Sequence, residues 1–266
     1  MNDDAYDHVT VAVDEPVEKS VTIGVDRPEA RNALNDQVRR ELIDAMERAE
    51  ADDGIRVVVL TGATGSSSFV AGADIGEFEG RSAIEQRAAS KRPRIYEVID
   101  GLAVPVIARI NGHTYGGGCE LALACDVRIA SSEAMLGQPE ITLGIIPGGG
   151  ATQRLPRLVG EGQAMRLILS GELIDAEEAA DVGLVDEVCE PEALDERIAE
   201  LAGAMAEKSP VALELAKSAV RAAARMPLDE GIEYEAELFA VMFSTADKDE
   251  GVEAFLEKRD PQFEGR

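Results

Sequence analysis

The feature that most constrains the fold is a succession of short β-branched runs, each followed by a glycine-rich segment. The run at 56–60 (RVVVL) precedes the glycine-rich segment 61–75, and the run at 104–110 (VPVIARI) precedes the segment 111–121. Runs this apolar are typical of strands buried on both faces of a sheet. A helical pattern at 35–51 lies ahead of the first run. This order predicts an α/β domain with largely buried sheets.

The two ends of the chain differ in their patterns. Two alternating segments, 9–13 and 20–25, are predicted to pair as strands. From about residue 160 onward, helical patterns dominate. We therefore place a soft boundary near residue 200, which divides the chain into an α/β core, 1–200, and a helical C-terminal region, 201–266.

The charge balance is strongly acidic: 52 Asp and Glu residues oppose 26 Lys and Arg residues, for a formal net charge of −26. Only six of the basic residues are lysines. Such a surface is similar to that of proteins from salt-rich cytoplasms, where a Debye length of roughly 3 Å at molar salt screens the self-repulsion. An ordinary acidic protein is the alternative. In either case nucleic-acid binding lacks an electrostatic basis.

Cysteine and histidine are scarce. The three cysteines have no CxxC spacing, and with only two histidines a His-based metal site or a Ser-His-Asp triad is not expected. No apolar run approaches the roughly 20 residues needed to cross a bilayer, and the acidic N-terminal sequence has no apolar targeting segment. We expect a soluble, cytoplasmic protein with no metal site and no membrane contact.

The glycine-rich segments contain no known phosphate-binding or nucleophile motif. Neither GxxxxGK[ST], nor a strand-linked GxGxxG, nor GxSxG is present. Two segments, GGGCELALAC and AGADI, instead lead into predicted helix starts, with Asp74 as an N-cap candidate. Free N–H groups at a helix start, unshielded by side chains, can bind a ligand oxygen, and two of them make an oxyanion hole. The alternative is that the glycines only form tight turns.

Two glutamates have unusually apolar surroundings. Glu120 stands in the first turn of the predicted helix CELALAC, and Glu140 lies in a stretch with little other charge. Because burial and mutual repulsion would favour one shared proton, the pair is suited to general acid–base catalysis. The alternative is that each glutamate pairs with an arginine as structural support.

Four motifs together resemble the crotonase (enoyl-CoA hydratase/isomerase) superfamily: RPEARNAL, FVAGADI, GGGCELALACD and GQPEITLGIIPGGGATQRLPRLVG. The resemblance covers the chain from about residue 8 to FLEKR near the C-terminus. It implies a superhelix of ββα units, a helical C-terminal trimerisation region, and a homotrimer or a hexamer formed by two trimers. It also implies a thioester substrate carried on coenzyme A, with no separate cofactor.

The resemblance also assigns residues. It implies that the N–H groups of Ala73 and Gly117 form the oxyanion hole, that Glu120 activates water, that Glu140 protonates the substrate Cα, and that the Gly148 backbone helps to position the water. Weaker candidates for contact with CoA are Arg31, Ala71, Asp74, Ile75, Phe239 and Lys258.

Some positions depart from the family pattern. His113 and Thr114 replace small or apolar residues, and Gly76 replaces a frequent lysine. The presence of both glutamates favours an enoyl-CoA hydratase. A double-bond isomerase on the same scaffold is the alternative, and a non-enzymatic binding protein is disfavoured. The sequence does not specify the acyl chain or the pathway.

Overall fold

The computed structural model describes residues 6–63 and 65–266, and within them it contains ten strands and ten α-helices. The strands are β1 (Val9–Val13), β2 (Ser20–Val25), β3 (Val57–Gly62), β4 (Ser68–Val70), β5 (Val106–Ile110), β6 (His113–Tyr115), β7 (Val127–Ser131), β8 (Met135–Gly137), β9 (Leu173–Asp175) and β10 (Glu187–Cys189). The helices are α1 (Asp36–Glu50), α2 (Ala83–Ala89), α3 (Ile95–Gly101), α4 (Gly117–Ala124), α5 (Ala151–Ser170), α6 (Ala176–Asp181), α7 (Leu194–Ala206), α8 (Pro210–Ala222), α9 (Leu228–Met242) and α10 (Ala246–Glu257).

The strands form two sheets. The larger has the order β1-β2-β3-β5-β7-β10 and the smaller the order β4-β6-β8-β9. The pairs β1–β2 and β8–β9 are antiparallel and the others are parallel, so the predicted N-terminal pairing is confirmed. From β3 to β8, consecutive strands alternate between the sheets, and a helix follows each of the first two strand pairs. This is the repeated ββα winding that the resemblance implied.

The run RVVVL is buried on both faces of the larger sheet, as predicted. Because successive side chains of a strand point to opposite faces, Val58 and Leu60 join the main core, whereas Val57 and Val59 join a smaller core beneath α7. Residue 200 falls inside α7, and this helix packs on β3, β5 and β7.

Charged side chains attach α8 to the core. Arg221 donates to Asp100 at 2.6 Å and to Asp126 at 2.7 Å, and Lys217 lies 2.8 Å from Asp126. All four side chains are at least three-quarters buried. These pairs hold the first of the last three helices against α3 and the start of β7, whereas α9 contains no buried residue.

Three local features differ from the sequence-based expectations. The three-residue strand β6 falls in a segment predicted only as a glycine turn. Helix α5 begins at Ala151, ahead of residue 160 from which helical patterns were predicted to dominate, and Gly160 interrupts it with φ 79° and ψ 158°. In the sequence, Pro191 favours a helix start at that position, because proline is tolerated in the first turn, but α7 begins at Leu194. In the described part of the chain, no helix has the length and apolar character required to span a membrane.

Candidate active site

A cavity of about 880 Å³ lies beside the start of α4. Seven of the positions proposed from the sequence line it: Ala71, Ala73, Ile75, Gly117, Glu120, Glu140 and Gly148. Four others do not: Arg31, Asp74, Phe239 and Lys258. The fold therefore brings the predicted catalytic positions together. Arg31 and Asp74 lie directly behind the cavity wall, since the Arg31 carbonyl accepts from the Ala71 N–H at 3.1 Å, whereas Phe239 and Lys258 do not line the cavity in the single chain.

The glycines before Glu120 allow the chain to turn sharply from β6 into α4. Gly116 has φ 47° and ψ −117°, a conformation that side chains other than glycine rarely adopt. A Cβ on Gly118 would lie 1.9 Å from the carbonyl oxygen of Val70. Two of the three glycines are thus required by the backbone, independently of any ligand.

Two backbone N–H groups meet at the cavity wall. Gly117 is the first residue of α4, so its N–H has no helical carbonyl partner. A bridge between Leu34 and Ala73 uses the N–H groups of Leu34 and Asp74 and leaves that of Ala73 outside the pairing. A Cβ on Gly117 would lie 3.5 Å from the Ala73 nitrogen. This proximity is suited to two donors acting on one oxygen.

Asp74 supports this loop from within. It caps the 3₁₀ helix Ile75–Phe78, because its carboxylate accepts from the Gly76 N–H at 3.1 Å. It also accepts from Arg27 at 2.8 Å, and this hydrogen bond lowers the pKa of Asp74. Glu77 does not complete a capping box, since it accepts from the Asp36 N–H at 2.6 Å. The Asp74 side chain is therefore engaged within the protein and does not line the cavity.

Glu120 is buried and held by backbone donors. Its Oε1 accepts from the N–H of Gly149 at 2.6 Å and from that of Ala151 at 3.0 Å. Only 3% of the residue is exposed, and this burial raises the pKa of its carboxyl group, although the two hydrogen bonds act in the opposite direction. No arginine pairs with this carboxylate in the described residues, so the structural-support alternative does not hold for Glu120.

Glu140 lies on the 3₁₀ helix Pro139–Leu143, close to the same glycines. A Cβ on Gly116 would lie 3.0 Å from its Oε1. Burial raises the pKa of Glu140 to about 7, and the charge of Glu120 adds to the effect. With its amide oriented to satisfy its hydrogen bonds, Gln138 donates to the Glu140 carboxylate at 3.0 Å. The two glutamates are thus electrostatically coupled across one cavity.

Arg94 and Tyr96 are two of the cavity residues that the sequence reasoning missed. Arg94 donates to the Gly148 carbonyl and lies 5.7 Å from the centroid of the Tyr96 ring. The Arg94 guanidinium also forms an ion pair with the Glu97 carboxylate, with an N–O distance of 2.6 Å. The sequence at 95–99 (IYEVI) has the apolar spacing of a buried helix face, but nothing in it indicates that the neighbouring cavity is lined by Arg94 and Tyr96.

The unusual segment His113–Tyr115 forms part of the rim. The Tyr115 hydroxyl lies 2.7 Å from His113 Nδ1, and Tyr115 lines the cavity. Thr114 is fully buried and donates to the Gly112 carbonyl at 2.9 Å. Among the described residues, no group of three or more His, Cys, Asp or Glu side chains is arranged to hold a metal ion.

Comparison with known proteins places this site in a family. Residues 18–266 match the model of the enoyl-CoA hydratase/isomerase family. The chain is 42% identical to the crotonyl-CoA hydratase of Syntrophomonas wolfei, over 97% of this chain and 98% of that protein. It is 41% identical to the 2,3-dehydroadipyl-CoA hydratase of Escherichia coli, over 94% of this chain and 96% of that one. The crystal structure of an enoyl-CoA hydratase from Bacillus anthracis superposes with a TM-score of 0.92 and 40% identity, covering 98% of this chain and all of that one. The chain therefore belongs to the enoyl-CoA hydratase/isomerase family.

Proposed function

We propose that the protein is an enoyl-CoA hydratase, which adds water reversibly to a 2-enoyl-CoA and gives a 3-hydroxyacyl-CoA. The observation that carries this proposal is the pairing of Glu120 and Glu140 at one cavity beside the N–H groups of Ala73 and Gly117. The relatives reported above are named as hydratases, which supports the same reaction. No cofactor is needed, since coenzyme A is part of the substrate.

The two N–H groups would bind the thioester oxygen. Addition of water to Cβ moves negative charge onto that oxygen as an enolate forms. Donors already aimed at this oxygen stabilise the developing charge, and removal of one such donor typically lowers the rate by about 10²–10³-fold. In this proposal, Ala73 and Gly117 supply most of the electrostatic stabilisation.

The two glutamates would exchange protons with the substrate. Glu120 removes a proton from water as the water oxygen bonds to Cβ, and protonated Glu140 gives its proton to Cα. The carbon–carbon double bond supplies the electron pair that takes up that proton, and the pair of glutamates holds one proton before and after the reaction. The raised pKa of Glu140 keeps this proton available near neutral pH. The carbonyl of Gly148, bound by Arg94, fixes the loop that faces the water.

A double-bond isomerase remains the second candidate, because it needs only one base to move a proton. The presence of two buried or half-buried carboxylates favours the hydratase. The names of the two relatives specify different acyl groups, so the acyl chain of this enzyme is left open.

The decisive experiment replaces Glu140 with Gln and measures the hydration of crotonyl-CoA. We expect kcat to fall by about 10²–10⁴-fold, the usual contribution of a positioned acid or base. Glu133→Gln, which changes an exposed carboxylate in the turn before β8, is the matched control. If E140Q is folded and keeps most of its activity, the assigned role is wrong. A wild-type enzyme that converts 3-enoyl but not 2-enoyl thioesters would instead be an isomerase.

We also propose assembly into a trimer or a pair of trimers. Four exposed apolar side chains of α9 and its C-cap fall on one helical face at spacings of 4, 7 and 4 residues: Leu228, Ile232, Phe239 and Phe243. Solvent-exposed stripes of this kind commonly mark protein interfaces. CoA contact by Phe239 or Lys258 would require assembly to bring them to a cavity that they do not line in one chain. Salt adaptation and a cytoplasmic location stay predictions from the sequence.

A further inference from the structure

Tyr96 is fixed at the wall of the catalytic cavity. It lies in the first turn of α3 and is only 8% exposed. The guanidinium of Arg94 lies over one side of its ring. The backbone of Gly149 approaches another part of the ring so closely that a Cβ there would lie 2.5 Å from Cε2 and Cζ. The position of the phenol is therefore set by packing.

The hydroxyl of Tyr96 makes no hydrogen bond with any described residue. Although the residue is largely buried, its hydroxyl oxygen is accessible from the cavity, because Tyr96 Oη is not among the fully buried unpaired atoms of the described residues. Since Tyr96 lines the cavity, its hydroxyl can gain a partner only from what occupies that space. A fixed, unpaired donor that opens onto the proposed reaction centre is suited to bind a ligand atom there.

The geometry around Gly117 shows that the Tyr96 hydroxyl lies close to both candidate N–H donors. The Cβ that Gly117 lacks would be 3.2 Å from the Tyr96 hydroxyl oxygen and 3.5 Å from the Ala73 nitrogen. The hydroxyl therefore lies beside Gly117 on the same side as the Ala73 nitrogen, and Tyr96, Ala73 and Gly117 all line the cavity. We propose that the Tyr96 hydroxyl is a third hydrogen-bond donor to the substrate thioester oxygen. This inference rests on the proposed function.

The surroundings of Tyr96 keep it protonated. Burial raises the pKa of the phenol, and the negative charges of Glu120 and Glu140 raise it further. A neutral phenol donates more strongly as the oxygen it contacts becomes an enolate. Its contribution therefore appears mainly in the transition state, and its loss should lower kcat more than it raises KM.

The test is Tyr96→Phe, which removes one oxygen and keeps the ring. We expect kcat for crotonyl-CoA hydration to fall by about 10- to 100-fold with KM changed by less than about threefold. Tyr6→Phe is the matched control: its hydroxyl donates to Asp44 at 2.5 Å, and Tyr6 is not among the residues that line the cavity. A thermal unfolding curve confirms that both variants are folded.

A second measurement does not depend on turnover. The carbonyl stretch of bound butyryl-CoA, isolated by ¹³C-edited infrared difference spectroscopy, should move to higher frequency in Y96F, because one polarising donor is lost. Unchanged kcat with an unchanged stretch would overturn the inference, as would a rise in KM alone. If the wild type hydrates no enoyl-CoA, the proposed function fails, and the carbonyl shift still decides whether Tyr96 contacts the thioester.

Discussion

Helices α4 and α9 use similar apolar residues in opposite ways. All eight residues of α4 are buried, whereas none of the fifteen residues of α9 is. The sequences at their C-terminal ends, ELALA in α4 and ELFAV in α9, look alike. The difference shows that helices of similar apolar sequence can be fully buried beside a cavity or left exposed on the surface of the chain. Side-chain size separates the two: α4 opens with glycines against β4, and α9 carries exposed phenylalanine.

The largest expected effect comes from replacing one glycine of α4, and for comparison one glycine of α9, with alanine. In Gly118→Ala the new Cβ would meet the Val70 backbone at 1.9 Å, so we expect a loss of about 3 kcal/mol or more in the free energy of unfolding. In Gly231→Ala nothing lies within 4 Å of the new Cβ, and the better helix former should add up to about 1 kcal/mol. Urea unfolding at constant salt measures both. Equal effects would mean that the burial of α4 does not depend on its small residues.

An intermediate effect concerns the apolar stripe of α9. Ile232→Glu places a charge in the middle of the stripe, where burial of the native side chain in an interface would contribute about 1.5–3 kcal/mol. We expect the molar mass from light scattering to fall toward that of a single chain at micromolar concentration. Glu233→Gln, off the stripe, is the control. An oligomer that survives I232E unchanged would exclude this face as the interface.

The smallest expected effect is a dependence of activity on pH, which arises from the two glutamates beside α4. Because the reaction needs one proton shared by Glu120 and Glu140, activity should fall as pH rises through the pKa of about 7 that burial gives Glu140. The decline should approach tenfold per pH unit in kcat/KM. Hydration and dehydration should share it, since the overall reaction neither takes up nor releases a proton. A flat profile from pH 6 to 9 would contradict the coupled pair.

Much of the site could be predicted because it is local in sequence. The three glycines, Glu120 and the helix that carries it lie within ten residues, and the free N–H at a helix start follows from elementary helix geometry. The strands β3 and β5 were evident because continuous apolar runs demand burial on both faces. The resemblance to a family supplied what these residues could not, namely the thioester and the roles of the two carboxylates.

What could not be predicted depends on contacts between distant segments. Glu120 is held by N–H groups 29 and 31 residues further on, and no local pattern encodes that approach. Tyr96 lies on the buried apolar face of α3 and Arg94 directly precedes this helix, but nothing local in the sequence indicates that either lines the cavity. The strand β6 is too short for alternation to show, and glycines flank it. In each case tertiary packing, and not propensity, determines the position.

The anchoring of Glu120 by peptide N–H groups has a consequence for how this protein can change over generations. A donor that belongs to the main chain is present whatever side chain the gene encodes at that position. The donors at Gly149 and Ala151 can therefore be lost only through a proline or through a residue too large for the space, and Gly149 leaves almost none. The position of Glu120, the proposed catalytic base, therefore depends on the backbone conformation near Gly149, and side chains elsewhere in the cavity can change without removing these two donors.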